Sequence, residues 1–451
     1  MRNTVASYFE TIINEIPGER IYLENSEEKI SYQNLKDMVR RFKDKHSNLK
    51  GSNCAITSYS RFELAKFIPL ISSLANRVFL QPEGLTEEVV ENFYKTSSID
   101  LIIEIKKSGV EFRPLTDSKQ CPDNTTNQQL LLCTSGTTGT PKLAAYNVES
   151  LAQTSIKDVA KGRNFKWALS YDLNRFAGLQ VFLQVILSGS ALVVIEPHQE
   201  LPEIINLLIG SNVNSLSATP SFWRKILMTP NSGLIPFKTI TLGGEISDQK
   251  ILDSLCTQYP NARITHIYAS TEAGVGFAVK DGKEGFPLTY VTPGFLSSVD
   301  LKVVNSELWI KTPQSESVEI SSEIEMDNSG FINTGDLVQI GNDRVYFKGR
   351  KSGVINVGGN KVTPEEIETI LNYHPAVILS KVYGRKNSLM GMVVCAEVIT
   401  RNVLPSSERS LLKKELNKYC RKKLVPYQVP AIIKFVDVIE VNNSGKIVRN
   451  K

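Results

Sequence analysis

The sequence predicts an α/β protein: a large N-terminal domain of helix-covered β-sheets plus a small β-barrel-like section, followed by a small α+β C-terminal domain. Three observations predict it. Strand-like and helix-like runs alternate through the first two thirds of the chain, the pattern of parallel sheets covered by helices. After about Gly294 the strands become short and alternating, with few helices. At Thr363-Pro364-Glu365-Glu366 the chain starts a new helix, with a capping-box pattern and proline at the first helical position.

The elements follow in order. A helix beginning near Gln33 carries Val39 and Phe42 on its apolar face. Ala65 to Leu74 reads as helix and Arg77-Val78-Phe79-Leu80 as a short strand. Thr86-Glu87-Glu88 starts another helix, with an N-cap hydroxyl and acids in the first turn. Strands are expected at Leu101 to Ile105, Ala191 to Ile195, Ser215 to Ala218, Thr239 to Leu242 and Ile264 to Tyr268. Helices at Leu201 to Ile209 and Pro220 to Met228 lie between the later ones. Leu301 to Val304, Glu307 to Lys311 and Arg344 to Lys348 read as a small antiparallel or barrel-like section. An apolar strand at Met392 to Val398 and a basic helix from about Glu408 to Lys423 complete the last unit. The boundary is placed at Gly349-Arg350-Lys351-Ser352-Gly353, giving domains over 1–348 and 349–451.

Length and composition bound the reading. A chain of 451 residues suggests roughly three structural units of about 150 residues. With 41% hydrophobic and 22% charged residues, it is expected to be globular and soluble. A net charge of +5 suits anionic small molecules and does not argue for nucleic acid. The cysteines form no C-x-x-C pair, and the four histidines are dispersed, so no zinc site is implied and the thiols read as reduced. No secretory signal opens the chain. The most apolar stretch, Val181 to Ile195, is broken by Gln184, Ser188, Gly189 and Ser190 and is too short to span a bilayer. The expected location is cytoplasmic.

Six segments carry chemistry. The apolar run Leu130-Leu131-Leu132-Cys133 leads into Thr134-Ser135-Gly136-Thr137-Thr138-Gly139-Thr140-Pro141-Lys142. Glycines let backbone amides turn toward an anion, hydroxyls add donors to phosphate oxygens, and Lys142 adds charge. The segment is neither a P-loop nor a dinucleotide fingerprint, since the spacing of both is missing. Thr241-Leu242-Gly243-Gly244-Glu245 ends a strand with two glycines that allow a flat ring near the backbone. Tyr268-Ala269-Ser270-Thr271-Glu272 ends another with an aromatic, hydroxyls and an acid. Thr334-Gly335-Asp336 presents a carboxylate, Gly349-Arg350 opens the last unit, and Asn443-Ser444-Gly445-Lys446 lies near its end. In isolation each has a plain alternative: a core aromatic, a solvated acid, a turn residue, a surface ion pair.

As an ordered set these segments resemble the superfamily of adenylate-forming enzymes: acyl- and aryl-CoA synthetases, adenylation domains of nonribosomal peptide synthetases, and firefly-type luciferases. The resemblance runs over nearly the whole chain, from Ile30-Ser31-Tyr32-Gln33-Asn34-Leu35 onward, and is most like a stand-alone acyl-CoA synthetase. It implies that Thr134 to Lys142 would hold the ATP β- and γ-phosphates, and that Tyr268 would stack on adenine beside Gly243 and Gly244. Glu245, Ala269 and Ser270 would line the same nucleotide site. Thr271 would touch phosphate, Glu272 would hold magnesium, and Asp336, assisted by Arg350, would bind the ribose hydroxyls. Lys446 would be the catalytic lysine. Gly359 would line the tunnel for a pantetheine thiol, from CoA or from the phosphopantetheine arm of an acyl carrier protein. Ser352 falls at the hinge position, where the family more often has Asp or Lys, and the C-terminal domain is expected to be mobile.

The implied chemistry fits these residue types. A carboxylic acid attacks the α-phosphorus of ATP, so two anions must meet. Cations at Glu272 and Lys446 offset the charge, and a thiol then displaces AMP. Lys446 must withdraw before the thiol enters. Two alternatives accompany the CoA ligase reading: an acyl- or amino-acid-activating enzyme that loads a separate carrier protein, and a catalytically inactive nucleotide-binding relative.

The chain departs from the family at two places. Ala269 replaces the glycine common after the stacking tyrosine, which narrows the space near the reacting carboxylate. In Tyr171-Asp172-Leu173-Asn174-Arg175-Phe176-Ala177-Gly178-Leu179, Arg175 takes the place of the usual acyl-pocket His or aromatic, with Phe176 one residue on. The expected acyl pocket therefore includes Arg175, Phe176, Gly178, Gly243, Tyr268 and Ala269. A guanidinium there would pair a second anionic or polar group of the acid, or else face phosphate or solvent. Asp172 sits near where amino-acid-activating relatives hold an α-ammonium. The basic run Lys413, Lys414, Lys418, Arg421, Lys422 and Lys423 suits CoA phosphates, an acidic carrier helix, or a solvated face.

Overall fold

The structure is a computed structural model that describes residues 8–115, 128–135, 141–152, 157–270, 273–313, 319–320, 325–387, 391–401, 405–441 and 447. Two helix-covered sheets dominate the N-terminal part. The first has eight strands in the order Gly274–Val279, Arg263–Ser270, Thr239–Gly243, Ser215–Ala218, Lys166–Leu169, Ala191–Val194, Ile21–Glu24 and Lys29–Ser31. Its neighbours pair in parallel from Arg263–Ser270 to Ile21–Glu24, with an antiparallel strand at each edge. The central strands are largely buried on both faces, as parallel strands covered by helices are.

The second sheet has seven strands, in the order Glu319–Ile320, Pro141–Asn147, Gln129–Ser135, Arg77–Leu80, Asn53–Ser58, Leu101–Lys106 and Gly109–Pro114. Its four middle strands are parallel. Gln129–Ser135 and Pro141–Asn147 form an antiparallel pair in which Thr134 lies opposite Lys142. The expected phosphate-binding segment is therefore the connection of a hairpin, and 136–140 lie outside the described residues.

Helix Arg61–Ser72 joins the two sheets. Ser60 caps it, its side chain accepting from the Glu63 N–H. Glu196, just past the first-sheet strand Ala191–Val194, accepts from Ser60 Oγ (2.6 Å) and from the backbone N–H groups of Arg61 and Phe62 (3.0 Å each). A carboxylate on the free amides of a helix start is favoured by the helix dipole. Arg61 in turn donates to the Ile195 carbonyl at 2.7 Å and to Asp172 Oδ1 at 2.6 Å.

The expected antiparallel or barrel-like section is a five-stranded antiparallel sheet, ordered Phe286–Pro287, Arg344–Arg350, Ile332–Ile340, Glu307–Lys311 and Asp300–Val304. No ladder joins its two outer strands among the described residues. Beyond it, Ile355, Val362, Ile367, Leu371, Val382, Val398 and Leu416 belong to a core of their own. That core lies among helices Pro364–Asn372 and Ser406–Arg421 and the three-stranded sheet of Val377–Asn387, Gly391–Thr400 and Ile432–Phe435.

Most expected elements are present within a residue or two of their expected ends. Two cap details differ. Thr86 and Thr363 both occupy N-cap positions, yet neither side chain makes the capping hydrogen bond. The capping box does form at Ser31, whose hydroxyl accepts from Asn34 N–H while the Asn34 side chain accepts from Ser31 N–H.

Candidate active site

A cleft of ≈ 310 Å³ opens where the first sheet, the antiparallel sheet and the C-terminal unit meet. Its walls include Gly244, Glu245 and Ile246 from one strand end, Tyr268 and Ala269 from the next, Asp336 and Arg350 from the antiparallel sheet, and Ile447 from the chain's last described residue. Parallel pairing explains the first two: Gly243 lies opposite Ile267, so both strand ends reach the cleft together. This is the carboxyl edge of the sheet, where open α/β folds place ligands.

The backbone shapes the rim. Gly244 has φ +81°, a conformation that costs little only for glycine. A Cβ on Gly243 would meet the Ile267 carbonyl at 3.7 Å and the Tyr171 hydroxyl at 3.8 Å, ordinary contact distances.

Asp336 is aimed by its own turn. Asn333 Oδ1 accepts from Gly335 N–H at 2.9 Å, and Thr334 Oγ1 accepts from Asp336 N–H at 3.1 Å. Thr334 is itself anchored on the Leu308 carbonyl at 2.7 Å. Asp336 pairs with Arg350 across the antiparallel ladder, and Arg350 Nε donates to Oδ1 at 2.9 Å. Tyr268 donates its hydroxyl to Oδ2 at 2.5 Å. Burial, followed by the adjoining Asp336 charge, pushes the Tyr268 phenol far above its ordinary pKa, so it stays a donor. The Tyr268 ring runs nearly parallel to Phe277, its cross-strand partner, and to Phe347, each at 5.2 Å.

Glu245 joins three elements. Its Oε2 accepts from Ser221 N–H (2.9 Å) at the start of helix Pro220–Met228, and its Oε1 accepts from Ile447 N–H (3.2 Å). Nearby, burial holds the half-buried Lys225 amine below its ordinary pKa, with Glu245 opposing that shift. Arg224 and Asp248 form a buried ion pair in the same wall. Val441 and Ile447 form an isolated antiparallel bridge.

Two family profiles cover most of the chain. One, described as AMP-binding enzyme, matches residues 70–316, and another, described as AMP-binding enzyme C-terminal domain, matches residues 366–446. The chain belongs to the AMP-binding enzyme family. Among relatives of this AMP-binding enzyme, the 2-succinylbenzoate–CoA ligase of Bacillus subtilis is 23% identical over 97% of this chain and 95% of its own. The mouse mitochondrial acyl-coenzyme A synthetase ACSM1 is 25% identical over 86% and 70%. Among solved structures, the anthranilate CoA ligase AuaEII with anthranoyl-AMP shares the fold at a TM-score of 0.77, with 15% identity over 98% of this chain and 96% of that one. The Bacillus subtilis o-succinylbenzoate CoA synthetase with its acyl-adenylate gives 0.69, with 19% identity over 99% and 97%.

The AMP-binding enzyme gathers some of the expected site residues and separates others. Gly244, Glu245, Tyr268, Ala269, Asp336 and Arg350 share the cleft. Gly359 does not line it. That glycine, at φ +88°, lies in a separate surface hollow with Asn356, Lys386 and Met392. Ser352 is exposed in the single turn Lys351–Gly353. Gly136, Thr137, Thr138, Gly139, Thr271, Glu272 and Lys446 lie outside the described residues, as do the side chains of Thr134 and Ser135.

The expected acyl-pocket trio is placed differently from its anticipated role. Phe176 is buried against Tyr146, with ring centroids 5.7 Å apart. Gly178 is buried where a Cβ would lie 2.1 Å from the Asp172 carbonyl, so close packing alone requires glycine. Arg175 turns to the second sheet, and its Nη1 donates to the Cys133 carbonyl at 3.0 Å. Asp172, near the position that could hold an α-ammonium, is instead paired with Arg61. Sequence reasoning missed Arg61, Glu196, Arg224 and Lys250, since their partners lie far away along the chain. The cysteine carbonyl that Arg175 finds carries no sequence signal at all.

Proposed function

We propose that this AMP-binding enzyme is an ATP-dependent acid:thiol ligase. It activates a carboxylic acid as acyl-AMP with release of pyrophosphate and then forms a thioester, with CoA as the favoured acceptor. The observation that carries the reading is the convergence of Asp336, Tyr268 and the two-glycine strand end with the closing segment of the C-terminal unit in one cleft. The CoA ligases among the relatives support it.

In the first half-reaction an acid carboxylate oxygen bonds to the α-phosphorus while the bond to pyrophosphate breaks. Asp336 accepts the ribose hydroxyls, and Arg350 holds that carboxylate in place. Tyr268 and the Gly243–Gly244 backbone bound the adenine side. The hairpin connection from Thr134 to Lys142 receives the departing phosphates. Lys446 supplies positive charge as the two anions meet, which is stabilisation by a preplaced charge rather than proton transfer. Glu272 is the residue that would hold magnesium, which when bound would neutralise phosphate charge.

In the second half-reaction a thiol bonds to the acyl carbon and AMP leaves. The present arrangement, with Ile447 at the cleft and Gly359 on another face, suits the first step. The second requires the C-terminal unit to turn about the Lys351–Gly353 linker so that the Gly359 face meets the cleft.

The test is a pyrophosphate-release screen over aliphatic, aromatic, dicarboxylic and amino acids, with and without CoA. The expected result is acid-dependent release that Lys446→Ala abolishes and a thioester product when CoA is present. Inertness toward every acid, or full release by Lys446→Ala, would overturn the assignment.

A further inference from the structure

Among the contacts that tie the C-terminal unit to the N-terminal part, two start from one short stretch away from the Lys351–Gly353 linker. Glu245, rooted on the Ser221 amide, receives the Ile447 N–H. Five residues on, Lys250 in helix Gln249–Gln258 donates to the carbonyl of Asn372 and, at 3.2 Å, to that of His374. Those carbonyls lie at the end of helix Pro364–Asn372, where the last carbonyls lack intrahelical partners and carry partial negative charge. An ammonium is the suited donor there. Burial, with Arg224 and Arg401 nearby, disfavours the charge on Lys250, and Asp248 partly offsets this.

The contacts hold the C-terminal unit at separate places: the helix near its beginning and the Val441–Ile447 bridge near its end. A rigid body held at two such points can turn only about the line that joins them, and any other rotation breaks at least one contact. Neither contact uses a group that the proposed chemistry consumes.

We propose that Glu245 and Lys250 form a two-point catch that seats the C-terminal unit for adenylate formation, so that Glu245 positions the lysine-bearing segment rather than binding nucleotide. This rests on the proposed function above, and it adds residues whose effect is confined to one half-reaction.

The test separates the half-reactions. Lys250→Met keeps the side chain's bulk and removes its donors. It is expected to slow acid-dependent pyrophosphate exchange about tenfold, within the usual range of coupling between two states. Thioester formation from supplied acyl-adenylate should not fall. Glu245→Gln should lower kcat for exchange while KM for ATP holds, because the amide keeps one acceptor and loses the other. Hydrogen exchange at the end of helix Pro364–Asn372 and at the Ile447 amide should accelerate in Lys250→Met. Equal loss of both half-reactions, a rise in KM for ATP alone, or hydrogen exchange identical to wild type would overturn the proposal. If the wild-type protein activates no acid, the proposed function fails, and the hydrogen-exchange comparison still decides whether the catch exists.

Discussion

The Tyr268 hydroxyl and the Arg350 guanidinium divide the Asp336 carboxylate between them, at 2.5 Å on Oδ2 and 2.9 Å on Oδ1. Each carboxylate oxygen can still accept a second hydrogen bond, so the pair orients Asp336 without using it up. Asp336→Asn should therefore weaken ATP by about tenfold or more, since hydrogen bonds to a charged group are worth about 1.5–3 kcal/mol. Tyr268→Phe keeps the ring stacked on Phe277 and Phe347 and should cost only a few-fold. KM for ATP in both variants checks this, and a larger effect from Tyr268→Phe would contradict it.

Asp172 is predicted to act in stability rather than in substrate choice. It forms a largely buried ion pair with Arg61, the two side chains being 13% and 11% exposed. Removing one partner of such a pair leaves a stranded charge, at about 3–5 kcal/mol. Asp172→Ala should lower the thermal midpoint markedly and leave the ranking of acids unaltered.

Arg175 should govern ATP more than acid selection. With Nη1 on the Cys133 carbonyl, it braces the strand that leads into the hairpin connection. Arg175→Ala is expected to raise KM for ATP several-fold while the relative rates with neutral and dicarboxylic acids stay the same. A selective loss of dicarboxylic acids would instead restore the substrate-pairing role.

Acid should destabilise the fold through Glu24. Burial opposes its ionisation, but Lys29, Lys166 and Ser211 together outweigh that and hold the carboxyl below its ordinary pKa. A lowered folded-state value means that the stabilisation is complete above the ordinary carboxylate range and is lost as pH falls through the folded-state value. Between about pH 6 and pH 3, the thermal midpoint of wild type should drop further than that of Glu24→Gln.

Local signals carried much of the architecture. Strand-like runs such as Ser215 to Ala218 and Thr239 to Leu242, set between helical runs, announced parallel strands, and Pro220 announced a helix start, because these depend on neighbours in sequence. The resemblance carried by the ordered segments implied one site for Gly244, Tyr268, Asp336 and Arg350, and these four line one cleft. What escaped depends on distant partners. Nothing around Asp172 reveals Arg61, and nothing around Lys250 reveals the carbonyls of Asn372 and His374. Gly178 read as a pocket residue because a glycine looks the same whether it admits a ligand or a neighbouring carbonyl. The strand Pro141–Asn147 was hidden by its opening proline, which the first residue of a strand tolerates and an interior position does not.

The knot of Ser60, Arg61, Asp172 and Glu196 sets a rule for recombining this protein with its relatives. A crossover between residues 62 and 172 separates donors inherited from one parent from acceptors inherited from the other. Unless both parents happen to share these side chains, such a hybrid would bury orphaned charges at the seam between its sheets, whereas exchanges made after residue 196 leave the seam intact.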